Sequence, residues 1–363
     1  MPSDSRLHAL DGLRGLAVFL MMEQHIGIWL WRVPAGGARQ HPGLVAFNAL
    51  GGLAAPLFIT LAGVGAALMI ARARGPVDRT LVTRGLWLMG FGYALNLMTP
   101  HWFGPLSWFV LHLIGLGLAT TPLWRRASTP RLLLVAATLV AATTAAHVWL
   151  RTPLHLGFSV MNNHARPGGV LRLALVEGHF PALPWLAVFI LGLVAGRDVV
   201  AGRRGAVARL ALILLAVGAS LGLLGRALPL RGADIDDPLL RGLWLRLVRV
   251  HLDFYPGHLP IVALLAAAAL LLVYLGLAPR VRGWLDARSP AVTLGRASLT
   301  LLIVHVVLFH EGGRALGLYY GLSATTTLLI IAAWTALCVL GTRAWQRRGY
   351  AYGAEWALRR LAG

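Results

Sequence analysis

The chain contains no lysine: all 33 of its basic residues are arginine, set against only 13 acids. It has a single cysteine, Cys338, lying in an apolar run, which excludes both an internal disulfide and a thiolate metal cluster. Charge is scarce, at 13% of residues where soluble domains carry roughly 25%. Motifs are scarce too. No Walker phosphate loop, no zinc-type His-Glu-x-x-His and no Gly-x-Ser-x-Gly elbow is read in the sequence. That argues against a nucleotide-driven pump and a serine hydrolase. A net charge of +20 ordinarily points to nucleic acid. Here the arginines are scattered over many connections, so no nucleic-acid partner is expected.

What is abundant is apolar: 58% of the 363 residues, in runs reaching the ~20 residues that cross a ~30 Å hydrocarbon core. Apolar periods and breakers give ten candidate spans, about 13–32, 45–70, 85–99, 106–124, 131–149, 184–199, 207–228, 258–278, 292–310 and 323–344. The expected fold is an all-α integral membrane protein of about ten transmembrane helices, one domain over residues 1–363, with the bilayer as its solvent. The first apolar segment reads as a retained span, because Asp11 and Arg14 sit at its mouth and no small-residue cleavage site follows. Alternate connections are short and rich in arginine: 72–84, 125–131, 196–209, 279–290 and the tail after Arg343. Counting span ends, 22 arginines fall on that side and 11 on the other, together the 33 present. The positive-inside bias therefore places both termini in the cytoplasm.

The opposite side holds two long connections, 150–183 and 229–257, with "MNNHARPGG", "EGHFPALPW", "ADIDDP" and "VHLDFYPGH". They read either as wet loops or as a place to hold a polar acceptor. Leu239–Phe254 is expected to lie in the interface, with a weak amphipathic pattern. Trp29, Trp31, Trp149 and Trp185, at span ends, fit an interfacial aromatic belt.

The first span raises the sharper question, since "LDGLRGLAVFLMMEQHIGIWLW" carries Asp11, Arg14, Glu23 and His25 where hydrocarbon makes such groups costly. Asp11 and Arg14, three apart, share a helix face and can pair. His25 lies eleven residues beyond Arg14, close to three whole turns, and so returns to that face ~16 Å deeper. Glu23 points nearly the other way. The face can serve as a headgroup anchor with a packing histidine, or it can line a hydrated passage. His305 and His310, five apart, stand about 140° off one helix face and make no metal pair. His112 reads as a satisfied packing residue, and Asn48 and Asn96 as cross-helix hydrogen-bonding groups. Arg72, Arg79 and Arg84 form a cluster explained either by topology or by phosphate binding.

"LDGLRGLAVFLMMEQH" resembles the opening of the heparan-α-glucosaminide N-acetyltransferase-like family and, more distantly, of the type 3 membrane acyltransferases that decorate bacterial glycans. Those families bring an Asp-x-x-Arg into the first span, and many bacterial members place a His fourteen residues after the Asp. "APLFITLAGVGAAL" (55–68), "HFPALPWLAVFILGLVAGR" (179–197), "LGRASLTLLIVHVVLFHE" (294–311) and, more weakly, "LHLIGLGLA" (111–119) are similar to later segments. The resemblance implies acyl transfer across a bacterial inner membrane, from cytoplasmic acyl-CoA, with acetyl the expected group, to a sugar or cell-envelope acceptor. No metal is expected, and a homodimer is compatible.

On this reading the catalytic candidates are His25, Arg14, Asp11, His41 and His305, with Arg14 and Arg84 toward the CoA phosphates. The lysosomal branch carries its functional His in the loop after the first span, followed by an Asp. His41 is the nearest match, but residues 47–56 supply no acid, and some members have Asn where this chain has His25. Either imidazole can act; His25 is the first choice. A neutral imidazole can deprotonate an acceptor or carry the acyl group. Arg14 held by Asp11 suits phosphate, and the ~16 Å offset suits the pantetheine arm. The rival reading is a proton-coupled secondary transporter, or a glycan or lipid exporter, using the same His and Arg groups.

Overall fold

A computed structural model describes residues 4–228, 235–248 and 254–362. All ten candidate segments are helical. The first is α1 (Asp4–Leu30), ended by the approach to Pro34. Then come α2 (Pro42–Leu50), opened by a proline in its first turn, α3 (Ala54–Arg72), α4 (Asp78–Met98), α5 (Val110–Trp124) and α6 (Thr129–Trp149). The second half holds α7 (Ala182–Val200), α8 (Arg204–Ala227), α9 (Pro238–Val248), α10 (Leu259–Gly276), α11 (Pro290–Arg296), α12 (Ser298–Val306), α13 (Ala324–Gln346) and α14 (Ala354–Ala362). Six helical stretches are long and apolar enough to cross a membrane: Pro42–Arg72, Thr129–Trp149, Ala182–Val200, Arg204–Ala227, Leu259–Gly276 and Ala324–Gln346. A seventh is reached if Pro290–Arg296 and Ser298–Ala315 count as one broken span. The expected ten is thus not reached on these grounds. Helix α1 is diluted by Arg14, Glu23, Gln24 and His25, α4 by Asp78, Arg79 and Arg84, and α5 has only 15 residues.

Three further expectations are corrected by the structure. The 292–310 segment is no straight helix but bends by 79° at Ala297. The freed N–H groups of Leu299 and Thr300 donate to Glu355 of α14, at 2.6 and 3.1 Å, and the Thr300 hydroxyl donates to the same carboxylate at 2.6 Å. A side chain from the far end of the chain thus caps α12 where its own preceding turn cannot. Trp29, Trp31 and Trp185 are buried, not belt residues, and only Trp149, 83% exposed, stands as expected. The interfacial segment is helical over Pro238–Val248, started by Asp237, whose Oδ1 accepts from the N–H groups of Leu239 and Leu240. The rest of that segment, 249–253, lies outside the described residues. Gly218, Ser220 and Gly222 do spell Gly-x-Ser-x-Gly, but inside the uninterrupted α8, so no elbow exists there.

Contacts group into two compact units. One comprises Met1–Phe58, Leu95–Phe103 and Leu275–Gly363, joining the two ends of the chain; the other comprises Ile59–Ala94 and Gly104–Tyr274. In the first, α1 and α11 cross with their backbones in near contact. A Cβ on Gly15 would meet the Ala291 carbonyl, and one on Gly295 would meet the Asp11 carbonyl, so both positions require glycine. In the second, the 150–183 connection is ordered, not a loose wet loop. Its buried Glu177 accepts from Thr152 at 2.7 Å, from Arg166, and from Arg172 at 2.7 and 2.8 Å. Burial alone would raise the Glu177 carboxyl, but the hydrogen bonds from Arg172 and Thr152 and the two guanidinium charges hold it below the ordinary carboxylate value.

Candidate functional site

In the first unit α1 delivers the polar stripe as its spacing demands. Arg14 Nη1 donates to Asp11 Oδ1 at 2.9 Å, and Arg296 of α11 brings its Nε to 3.7 Å from Asp11 Oδ2. The carboxylate is therefore gripped from two helices, with both arginines part-exposed at this mouth. Arg296 belongs to the Gly-Arg-x-Ser string, whose glycine permits the helix crossing that brings its arginine to Asp11.

Farther along the same face, His25 meets His305 of α12. The contact runs between His25 Nδ1 and His305 Nε2 at 2.9 Å, while His305 Nδ1 lies 2.8 Å from the Leu301 carbonyl oxygen. A carbonyl can only accept, so His305 Nδ1 carries hydrogen and its Nε2 is the acceptor. It follows that His25 Nδ1–H donates to His305, which leaves the lone pair on His25 Nε2. Two hydrogen bonds thus set one tautomer, with the second imidazole and a backbone carbonyl standing where a catalytic triad has its carboxylate.

Aromatic rings frame the pair. Trp29, one turn after His25, stacks on it at 4.8 Å between centroids, and Trp102 meets it edge-on at 5.1 Å. His310 then lies 5.0 Å from Trp29 and 5.5 Å from Trp102. That corrects the expected 140° offset between His305 and His310. A π-helical segment, Val307–Gly312, follows α12, and its wider i to i+5 turn brings residues five apart back to one side. His310 in turn contacts Glu311 at 3.0 Å, and Glu311 holds the exposed His101 at 2.6 Å.

The remaining sequence candidates fall elsewhere. His41 starts α2, edge-on to Trp31 at 6.0 Å, and lines a cavity of about 410 Å³ with Arg32, Pro34, Ser323 and Thr325. Arg84 stands on α4 in the second unit, whereas Arg14 is in the first. Also in the second unit, His112 packs but is only half satisfied: it is buried, accepts from the Phe109 N–H at 3.2 Å and stacks on Trp108 at 5.2 Å, while its Nε2 has no hydrogen-bond partner among the described residues. Asn48 rests against Gly27 of α1, and its Oδ1 has no hydrogen-bond partner among the described residues. Glu23, opposite the stripe, is fully buried and neither of its oxygens has a hydrogen-bond partner among the described residues. Among those residues no three His, Cys, Asp or Glu side chains are grouped to hold a metal ion. Sequence reasoning missed Trp29, Trp102 and Arg296. Trp29 was signalled by its i+4 spacing from His25; Trp102 carried no local signal.

Apolar helices around a part-buried imidazole pair, with an acid gripped by two arginines at one end of α1, make a helical membrane protein. The chain belongs to the heparan-alpha-glucosaminide N-acetyltransferase family: the family's catalytic region matches residues 6–228. No curated protein matches it. Membership makes this an acetyltransferase-type membrane enzyme.

Proposed function

We propose that this protein transfers an acyl group, with acetyl the expected one, from cytoplasmic acyl-CoA to a sugar or cell-envelope acceptor on the far side of a bacterial inner membrane. The chain would cross the membrane about ten times with both termini in the cytoplasm. The observation that carries this reading is the tautomer chain from the Leu301 carbonyl through His305 to His25, which frees His25 Nε2 as base. Arg14 and Arg296, both on Asp11, suit the phosphates of CoA by bidentate donation. His25 is reached from that mouth along one face of α1, ~16 Å away, in keeping with a long pantetheine arm.

In the step so supported, His25 Nε2 takes the proton from the acceptor hydroxyl or amine as its oxygen or nitrogen attacks the thioester carbonyl. The carbon–sulfur bond breaks, and the CoA thiolate leaves and takes up a proton. His305 orients His25 and shares the charge that develops. Base catalysis of this kind is worth roughly 10²–10⁴-fold in rate.

The test is purified protein with labelled acetyl-CoA and a panel of sugar acceptors. His25→Ala should lower turnover by about 10³-fold, while His41→Ala should affect KM for the acceptor more than kcat. If His25→Ala leaves turnover unchanged and His41→Ala abolishes it, the base is His41 and this assignment fails. Label retained on the wild-type protein without acceptor, and absent from His25→Ala, would mark His25 as acyl carrier instead of base.

A further inference from the structure

The last 23 residues of the chain, 341–363, carry five arginines and a single acid, Glu355. That acid is fully engaged inward, capping α12 through Leu299 and Thr300, while the Ala354 N–H donates to the Thr300 hydroxyl at 2.9 Å. Helix α14 is thus fastened to its unit by one face, with Ala362 buried on the same side. The opposite face is different. Tyr352, Trp356 and Arg360 follow at four-residue spacing: Tyr352 is 88% exposed, its ring lies 5.2 Å from that of Trp356, and the Arg360 guanidinium lies over the Trp356 ring at 5.2 Å. Arg359, Arg360 and Leu361 are exposed, as are Arg347 and Arg348 at the end of α13. Trp284, in the same unit, is 82% exposed.

We propose that α14 and the arginines before it form a binding surface for the headgroups of anionic phospholipids. Three features choose this occupant. The aromatic stripe has the amphipathic character of side chains that settle at headgroup depth, apolar ring inward and polar edge outward. The surplus of guanidinium groups with no acidic partner among the described residues matches phosphate oxygens in charge and in planar donor geometry. A short basic helix with an exposed leucine and a part-exposed tryptophan, preceded by the exposed Tyr352 and fixed beside a span, lies in the plane of an anionic leaflet and is drawn there by each arginine. Because Glu355 joins this helix to the broken span next to Arg296, headgroups on α14 would also hold the mouth where Arg296 meets Asp11.

The full chain is reconstituted in nanodiscs of equal parts phosphatidylcholine and phosphatidylglycerol, and native mass spectrometry counts the lipids retained on release. Wild type should retain phosphatidylglycerol preferentially. R359Q/R360Q should lower that preference roughly tenfold, and R347Q/R348Q, outside α14, should lower it in the same direction if the helix variant fails to fold. R39Q/R151Q, which removes equal charge from exposed positions elsewhere, should leave it unchanged. Equal loss in R39Q/R151Q and R359Q/R360Q overturns the proposal in favour of net charge alone. Displacement of the bound lipid by acetyl-CoA overturns it in favour of a nucleotide site. The readout requires no turnover, so it stands or falls apart from the acyltransferase reading.

Discussion

At the scale of single residues, the proposed chemistry rests on which nitrogen of His25 holds hydrogen, and the contact with His305 bears on that. His305→Ala should lower kcat by about 10²-fold, at the lower end of the base-catalysis range, with little change in KM for acyl-CoA. His305→Gln offers an amide oxygen near the place of Nε2, accepts from His25 Nδ1–H, and should recover part of the loss; a residue that only filled space would show no such rescue. Single-turnover transfer of labelled acetyl separates the two outcomes. Arg296→Ala should do the reverse, raising KM for acyl-CoA several-fold at nearly constant kcat, because removing one of two guanidinium groups weakens ground-state binding. His25 and the Asp11–Arg14 pair were legible in the sequence because one helix carries all three and its period is fixed. The role of His305 was not, since its partner lies 280 positions away and no local rule pairs two histidines across helices.

Helices and their ends hold a second set of consequences. Every candidate span is helical, since sustained apolar composition is the strongest signal a membrane chain carries. The break at Ala297 and the π turn after Val306 were invisible, because each is stabilised by groups remote in sequence, Glu355 in the first case and the Trp29–Trp102 wall in the second. Gly295→Ala should force α1 and α11 apart at a cost of about 1–3 kcal/mol and should raise KM for acyl-CoA as Asp11 and Arg296 separate; thermal unfolding in detergent together with KM checks both. In the 150–183 connection, Glu177→Gln leaves Arg166 and Arg172 facing a neutral amide and should cost about 3–5 kcal/mol. The same clamp predicts acid lability. A carboxyl whose folded value is depressed contributes its full stability above its unfolded value of 4.5, and that contribution is lost as the pH falls below 4.5 through the folded value. Wild type should therefore lose stability in that window, and Glu177→Gln should lose much less.

For the molecule as a whole, the family match spans α1 to α8 and stops at residue 228, so it covers the helix of His25 but neither His305 nor Arg296. The unit that holds the candidate site is assembled from both ends of the chain, an arrangement that composition and periodicity do not encode. Sidedness was read from arginine alone and is directly checkable. In a Cys338→Ala background, a cysteine at Arg126 should react with a membrane-impermeant maleimide only in inverted vesicles, and one at His164 only in intact cells. The two-ended unit also bears on biogenesis. Helix α1 leaves the ribosome before α12, and the imidazole that pairs with His25 emerges 280 residues later, an interval of roughly 15–60 s at ~5–20 residues per second. Throughout it His25 lacks the imidazole, and Asp11 the second guanidinium, that they meet in the folded unit. A chain truncated at residue 228 should stay associated with the insertion machinery and turn over rapidly in a pulse–chase experiment, however completely it carries the region by which the family is recognised.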